Sequence, residues 1–268
     1  MGAVLLLLTL LWCFGAVYVA VGAVVLSVER GHPPDLSIEA LARYVREVSA
    51  IWLNTLTMPI GALGALPEGP PGRPLRVPVL MIPGHGRNRS CFFFLAAALR
   101  ARGWGWVWPI NNGRGSIPAM GDRLAESVDS MLRHSGAEQV DLVCHSMGGV
   151  VAAWYINQLG GAARVRRVVT IATPWQGTKL AALARSVDGV QLVPGSGVLA
   201  HAGTPAVPTT AIYTDTDTII IPPENARLDP AGERDDVEDR MLPGLGHEQL
   251  LFSPAVVELV AQRLGEGQ

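Results

Sequence analysis

The first charged residue of this chain comes late. Residues 2 to 28 carry no charged side chain, and Glu29 is the first. About 20 consecutive apolar residues suffice to cross a bilayer as a helix, so this run predicts a transmembrane helix or signal anchor over residues 1–28. The alternative is a cleaved signal peptide, with Val21-Gly22-Ala23 as its cleavage site, but the basic leading region is missing. Arg30, Arg43 and Arg46 follow the run and no basic side chain precedes it, which leans toward a cytoplasmic remainder. The expected localisation is a membrane, through one N-terminal pass, with the side left open and secretion after cleavage as the alternative.

Residues 29–60 read as a juxtamembrane segment carrying an amphipathic helix. Leu41, Val45, Val48, Trp52 and Leu56 recur every three or four residues and predict one apolar face. Glu39, Arg43, Arg46 and Glu47 point elsewhere on this reading. Such a helix either packs on the following domain or a neighbour, or lies on a membrane surface. Residues 61–74 are rich in Gly and Pro and predict a linker.

Beyond the linker, residues 75–268 alternate short apolar runs with longer segments of helical period. Strands are predicted at Val77–Ile82, Trp104–Ile110, Gln139–Cys144, Val165–Ala172 and Thr209–Tyr213. Helices are predicted at Phe92–Arg102, Ala119–His134, Gly148–Leu159 and Pro254–Leu264. The period of two places Trp104, Trp106 and Trp108 on one strand face. Alternating strand and helix argues for an α/β domain, a mostly parallel sheet with helices on both faces.

Charge and cysteine content narrow the chemistry. The formal net charge is −2, which points away from a nucleic-acid partner. Cys13, Cys91 and Cys144 are widely spaced and odd in number, so they form neither a disulfide framework nor a zinc motif. Cys144 reads as a small buried residue.

The chemistry concentrates in Asp141-Leu142-Val143-Cys144-His145-Ser146-Met147-Gly148-Gly149. An apolar strand ends, a serine occupies the turn and a Gly pair opens a helix, which exposes the hydroxyl on a sharp elbow. A serine hydroxyl needs a base, an acid to orient that base, and donors for an oxyanion. His247, in the Gly-flanked loop before the last helix, is the candidate base. Asp217, in the loop after the Thr209–Tyr213 strand, is the preferred acid, and Asp215 is its rival. The backbone N–H groups of His85 and Met147 are the candidate oxyanion donors, because Gly84 and Gly86 leave the first loop open and Met147 begins a helix.

These segments resemble the bacterial lipase and esterase branch of the α/β-hydrolase superfamily. The likeness is carried by Pro83-Gly84-His85-Gly86, Cys144-His145-Ser146-Met147-Gly148-Gly149, Ile171-Ala172-Thr173-Pro174-Trp175-Gln176-Gly177-Thr178, and Asp217 with Gly246-His247. Departures are Pro83 where many relatives have His, Cys144 for the first elbow Gly, and Ala172 for the Gly before Thr173-Pro174. The resemblance implies an α/β-hydrolase fold and hydrolysis of a carboxylic, lipid-like ester through an acyl-enzyme, with Ser146, Asp217 and His247 as the triad. It implies no metal and no organic cofactor. An acyltransferase or thioesterase on the same triad is the alternative, and a non-catalytic binding protein of the same fold is a third. Residues 175–206 are expected to form a small lid or acyl-binding wall, or to pack on the core.

Overall fold

The computed structural model describes residues 2–63, 75–228 and 234–267. Two helices, α1 (Gly2–Arg30) and α2 (Ile38–Ala62), precede the sheet. Then follow β1 (Val79–Ile82), α3 (Phe93–Ala101), β2 (Val107–Pro109), α4 (Ile117–Ser135), β3 (Val140–His145), α5 (Met147–Gln158) and β4 (Val165–Ile171). The short helices α6 (Val187–Val190) and α7 (Gly197–Ala202) lead to β5 (Thr209–Tyr213), β6 (Val237–Met241) and α8 (Pro254–Gly265). All five strand pairings are parallel, in the order β2-β1-β3-β4-β5-β6.

The central strands are buried on both faces, and the period of two divides their side chains between two cores. Leu80, Ile82, Leu142 and Val168 face α4 and α5. Val79, Met81, Val143, Val169 and Ile171 face α3 and α8. The strand order reverses between β1 and β3, so a crevice opens at their carboxyl ends, where α/β sheets place their ligands. The β1 loop and Ser146 both start there.

The tryptophan expectation is corrected in part. Trp106 and Trp108 share one core, with ring centroids 5.6 Å apart. Trp104 precedes β2, joins the opposite core, and carries the Arg76 guanidinium 4.1 Å above its ring. Strand alternation does not extend into the turn before the strand.

The N-terminal expectation is corrected as well. Among the described residues no helix is long and apolar enough to cross a membrane, so the transmembrane helix, the membrane anchor and the membrane localisation do not stand. From Gly15 onward, α1 instead packs on protein. Val19 meets Val48 and Ile51 of α2, and Leu26 meets Leu180 and Ile221 of the sheet domain. A side chain at Gly22 would run into the Thr218 carbonyl, so the glycine lets α1 settle on that loop. Arg30 donates to the Asp215 carbonyl at 2.7 Å, and Glu29 pairs with Lys179.

Helix α2 starts where Ser37 caps the Ala40 N–H and runs two residues into the expected linker; positions 64–74 lie outside the described residues. It packs on the domain through a face that is rotated from the one its apolar period predicts and shares Val48 with it. Glu47, Val48, Ile51 and Asn54 are buried, whereas Leu41, Val45 and Leu56 are exposed.

Candidate active site

Ser146 links β3 to α5 at φ 53°, a conformation that costs a non-Gly residue about 1–3 kcal/mol and therefore needs support from its surroundings. The support is visible on both sides. The Ser146 N–H donates to the Ile171 carbonyl at 2.8 Å, and its carbonyl accepts from the Thr173 hydroxyl at 2.9 Å. Side chains at Gly148 and Gly149 would strike the Ile82 carbonyl and Thr173, so the glycines allow α5 to lie against β1 and the β4 loop. Ala172, just after β4, also stands at positive φ, 51°. Cys144 is fully buried two residues before the turn, and burial pushes its thiol pKa up, which disfavours the reactive thiolate.

The loops after β5 and β6 bring Asp217 and His247 together. His247 Nδ1 lies 2.8 Å from Asp217 Oδ2, with both residues buried. The other oxygen, Oδ1, accepts from the N–H groups of Ile219 at 2.7 Å and Ile220 at 2.9 Å. An ionised carboxylate only accepts, so the proton of this pair sits on Nδ1 and leaves Nε2 as the basic nitrogen. Burial pushes the His247 pKa down, but the charge and hydrogen bond of Asp217 outweigh it and hold the imidazole above its ordinary value. Asp215 is placed differently. Its carboxylate accepts from the Gly244 N–H at 2.9 Å and so pins the loop that carries His247.

His145 packs its ring 4.8 Å from the ring of His247, and its Nε2 lies 3.3 Å from the His247 carbonyl. Burial and the neighbouring imidazole push its pKa down to about 4, so it stays neutral beside the base. His201 lies on the surface, its Nδ1 on the Gly197 carbonyl.

Gly84 sits against the elbow. A Cβ there would lie 2.7 Å from the Ser146 Cβ and 3.3 Å from its Oγ, so only glycine leaves room beside the hydroxyl. Next to it, His85 turns its ring to Asp188, Nδ1 to Oδ2 at 2.8 Å. Met147 is the first residue of α5, and an N–H at that position has no partner within its helix. Among the described residues, no group of three His, Cys, Asp or Glu side chains is placed to hold a metal ion.

A cavity of about 540 Å³ joins Ser146, His247, Gly84 and His85. Its apolar wall comes from α1 and α2, through Tyr18, Ile51, Trp52, Leu56 and Met58. The segment 175–206, weighed above as lid or core, packs on the core in part: Leu192 and Leu199 are buried there, with Val193 and Val198 against them, whereas Leu183, Val187 and Val190 are exposed. The wall is thus built by the part of the chain that the resemblance did not cover.

Five side chains on or behind this wall had no part in the sequence reading as site residues. Arg87, on the β1 loop, donates to Glu248 Oε1 at 2.8 Å and to the Thr55 hydroxyl at 3.2 Å. Asn54 donates to the other Glu248 oxygen, and Glu47 accepts from the N–H groups of Glu248 and Gln249. A Gly-Arg pair after β1 and a Glu after His247 were legible neighbours; the α2 partners were not.

The Arg87–Glu248 pair sets a pH dependence. Burial pushes the Glu248 carboxyl up, but Arg87 overrides it and holds the pKa at about 2, against an ordinary 4.5. A depressed carboxyl pKa stabilises the fold above 4.5, and the contribution fades as the pH falls toward 2. Glu248→Gln also strands a buried guanidinium, so the expected loss at neutral pH is about 3–5 kcal/mol. In urea titrations the gap between wild type and variant is expected to narrow below pH 4.5; a gap that is constant down to pH 2 refutes this assignment.

A family model described as "Domain of unknown function (DUF7379)" matches residues 120–219, which include Ser146 and Asp217 but not His247. Among solved structures, the chain is similar to lipase B of Aspergillus fumigatus, at 18% identity and a TM-score of 0.60 over 71% of this chain and 53% of that one. It thus spans about half the length of the Aspergillus enzyme. A monoacylglycerol lipase of Paleococcus ferrophilus matches at 18% identity and a TM-score of 0.57, over 75% of this chain and 98% of that one. A mature Bacillus licheniformis lipase matches at 14% identity and a TM-score of 0.58, over 75% and 96%. The bacterial branch is not singled out, since an Aspergillus enzyme matches as well as a Bacillus one. At these identities the likeness establishes the architecture: the chain has the fold of the α/β-hydrolases, shared with lipases and esterases.

Proposed function

We propose that this protein is a serine hydrolase that cleaves carboxylic esters with lipid-like acyl groups. The observation that carries the reading is the 2.8 Å contact of His247 with Asp217 in one cavity with Ser146, which stands at positive φ on the elbow after β3. His247 Nε2 takes the Ser146 proton as Oγ attacks the ester carbonyl, and Asp217 stabilises the imidazolium that forms. The N–H groups of Met147 and His85 receive the developing oxyanion. The imidazolium then protonates the departing alcohol, and water, activated by the same imidazole, releases the acid from Ser146.

The lipid-like substrate is supported by the cavity wall, where Ile51, Trp52, Leu56 and Met58 offer an apolar bed for an acyl chain. The lipase and monoacylglycerol lipase among the similar structures agree with that class.

The test uses the full chain, since α1 and α2 line the cavity. A fluorophosphonate probe is expected to label Ser146, and p-nitrophenyl esters are expected to be cleaved faster as the acyl chain lengthens. Folded protein that neither labels nor hydrolyses refutes an enzyme. Transfer to an added alcohol in preference to water shifts the assignment to an acyltransferase.

A further inference from the structure

Glu47 takes no part in the chemistry above, yet it is 2% exposed and lies beside the base. Its Oε1 accepts from the Glu248 N–H at 2.8 Å and its Oε2 from the Gln249 N–H at 3.0 Å. These two amides follow His247 directly and open a short turn of 3₁₀-helix, Gln249–Phe252, whose first N–H groups lack partners of their own. Gly246 belongs to the same arrangement, because a side chain there would collide with the Glu47 carboxylate. Its value is room for α2, as much as a bend in the loop.

Asn54 and Thr55 stand two helical turns further along α2, on the face of Glu47. Asn54 donates to Glu248, Thr55 accepts from Arg87, and Arg87 in turn holds Glu248 at 2.8 Å. One face of α2 therefore grips the loop of the base and the loop that begins at Gly84.

We infer that Glu47 is a positioning residue for His247: from α2 it fixes the 246–249 loop, and with Asn54 and Thr55 it sets the spacing between the imidazole and the oxyanion loop. This rests on the triad proposed above. The N-terminal helices are then part of the catalytic apparatus. A carboxylate suits the task because it accepts from both amides at once, whereas a glutamine turns one NH₂ group toward a donor.

Charge supplies a readout that packing alone does not. His247 is faced by Asp217, Glu248 and Glu47, by the neutral ring of His145, and by Arg87 behind Glu248. Burial raises the Glu47 pKa to about 7, so above that pH its negative charge favours the imidazolium. Removing the charge is expected to move the acid limb of kcat/KM to lower pH.

The experiment compares full-length wild type and Glu47→Gln by ester hydrolysis across pH, thermal unfolding, and hydrogen exchange at the Glu248 and Gln249 amides. Small displacements of a catalytic group cost up to about a hundredfold, so kcat is expected to fall about 10- to 100-fold with KM little changed. The acid limb moves down and the two amides exchange faster, while the melting temperature falls by only a few degrees, the cost of one unpaired buried donor. Wild-type kcat, limb and exchange in the variant overturn the proposal. So does a kcat loss that comes with a collapsed melting temperature and an unmoved limb. Asn54→Ala, which frees Glu248 without touching the Glu47 bonds, covers the case in which Glu47→Gln fails to fold; a smaller kcat loss is expected, and none overturns the bridge. If the wild type is folded but inert while exchange still rises in Glu47→Gln, the hydrolase reading fails and the loop clamp stands.

Discussion

Ser146→Ala is expected to lower kcat by about 10⁶-fold while KM and the melting temperature stay close to wild type, because removing a serine nucleophile costs on that order. The backbone accepts alanine at this turn: Ala172 already holds φ 51° in the same structure, beside the 53° of Ser146. The bonds that brace the elbow also survive, since the Ile171 and Thr173 contacts use the main chain of residue 146. What disappears is the hydroxyl alone. Residual labelling by a fluorophosphonate would require a second nucleophile. Cys144 is the nearest thiol in sequence, but it is fully buried and burial raises its pKa. Steady-state hydrolysis and probe labelling of purified Ser146→Ala check this, and activity within tenfold of wild type refutes the nucleophile.

Asp217→Asn is expected to cost about 10⁴-fold in kcat, the loss seen when a triad histidine is held in the wrong tautomer. The reason lies in the far side of the carboxylate. The Ile219 and Ile220 N–H groups both aim at Oδ1, so the asparagine oxygen must stay there. Its NH₂ then faces His247 Nδ1, which has to become the acceptor. The ring proton moves to Nε2 and meets Ser146 as a donor, unable to take the hydroxyl proton. Asp215→Asn keeps its acceptor for the Gly244 N–H and is expected to lose about 1 kcal/mol of loop stability and little kcat. Parallel kinetics on the two variants decide the acid; a larger loss in Asp215→Asn reverses the assignment.

The strands and the elbow were legible because they depend on local rules. Val140–His145 and Met147–Gln158 fall within two residues of the boundaries that period and turn chemistry indicate. Thr209–Tyr213 matches them at both ends. The edge strand β6 was not legible. Its sequence, Val-Glu-Asp-Arg-Met, reads as a loop, and its side chains remain partly or fully exposed, unlike those of β2, the other edge strand, which are buried. A strand whose faces stay partly in solvent buries no apolar face, and so it leaves no alternating signature.

The N-terminal helices mark the limit more sharply. Apolar length and period indicated two helices, and two helices are there. Neither property identifies what an apolar helix packs against. Gly22 lets α1 reach the Thr218 loop and Val19 packs on α2, which turned an expected bilayer span into a wall of the cavity.

The sequence alone determined the order of the first five strands and of the longer helices, the serine turn, and the order of Ser, Asp and His, because each follows from side-chain period or from backbone chemistry within a few residues. Only the tertiary structure decided that Asp217 rather than Asp215 meets His247, and that α2 turns Glu47 inward and Leu41 outward. Glu47 and the Glu248 N–H it binds are 201 residues apart. A buried carboxylate is tolerated only where such donors converge on it, and no pattern within one helix records where another loop will deliver them.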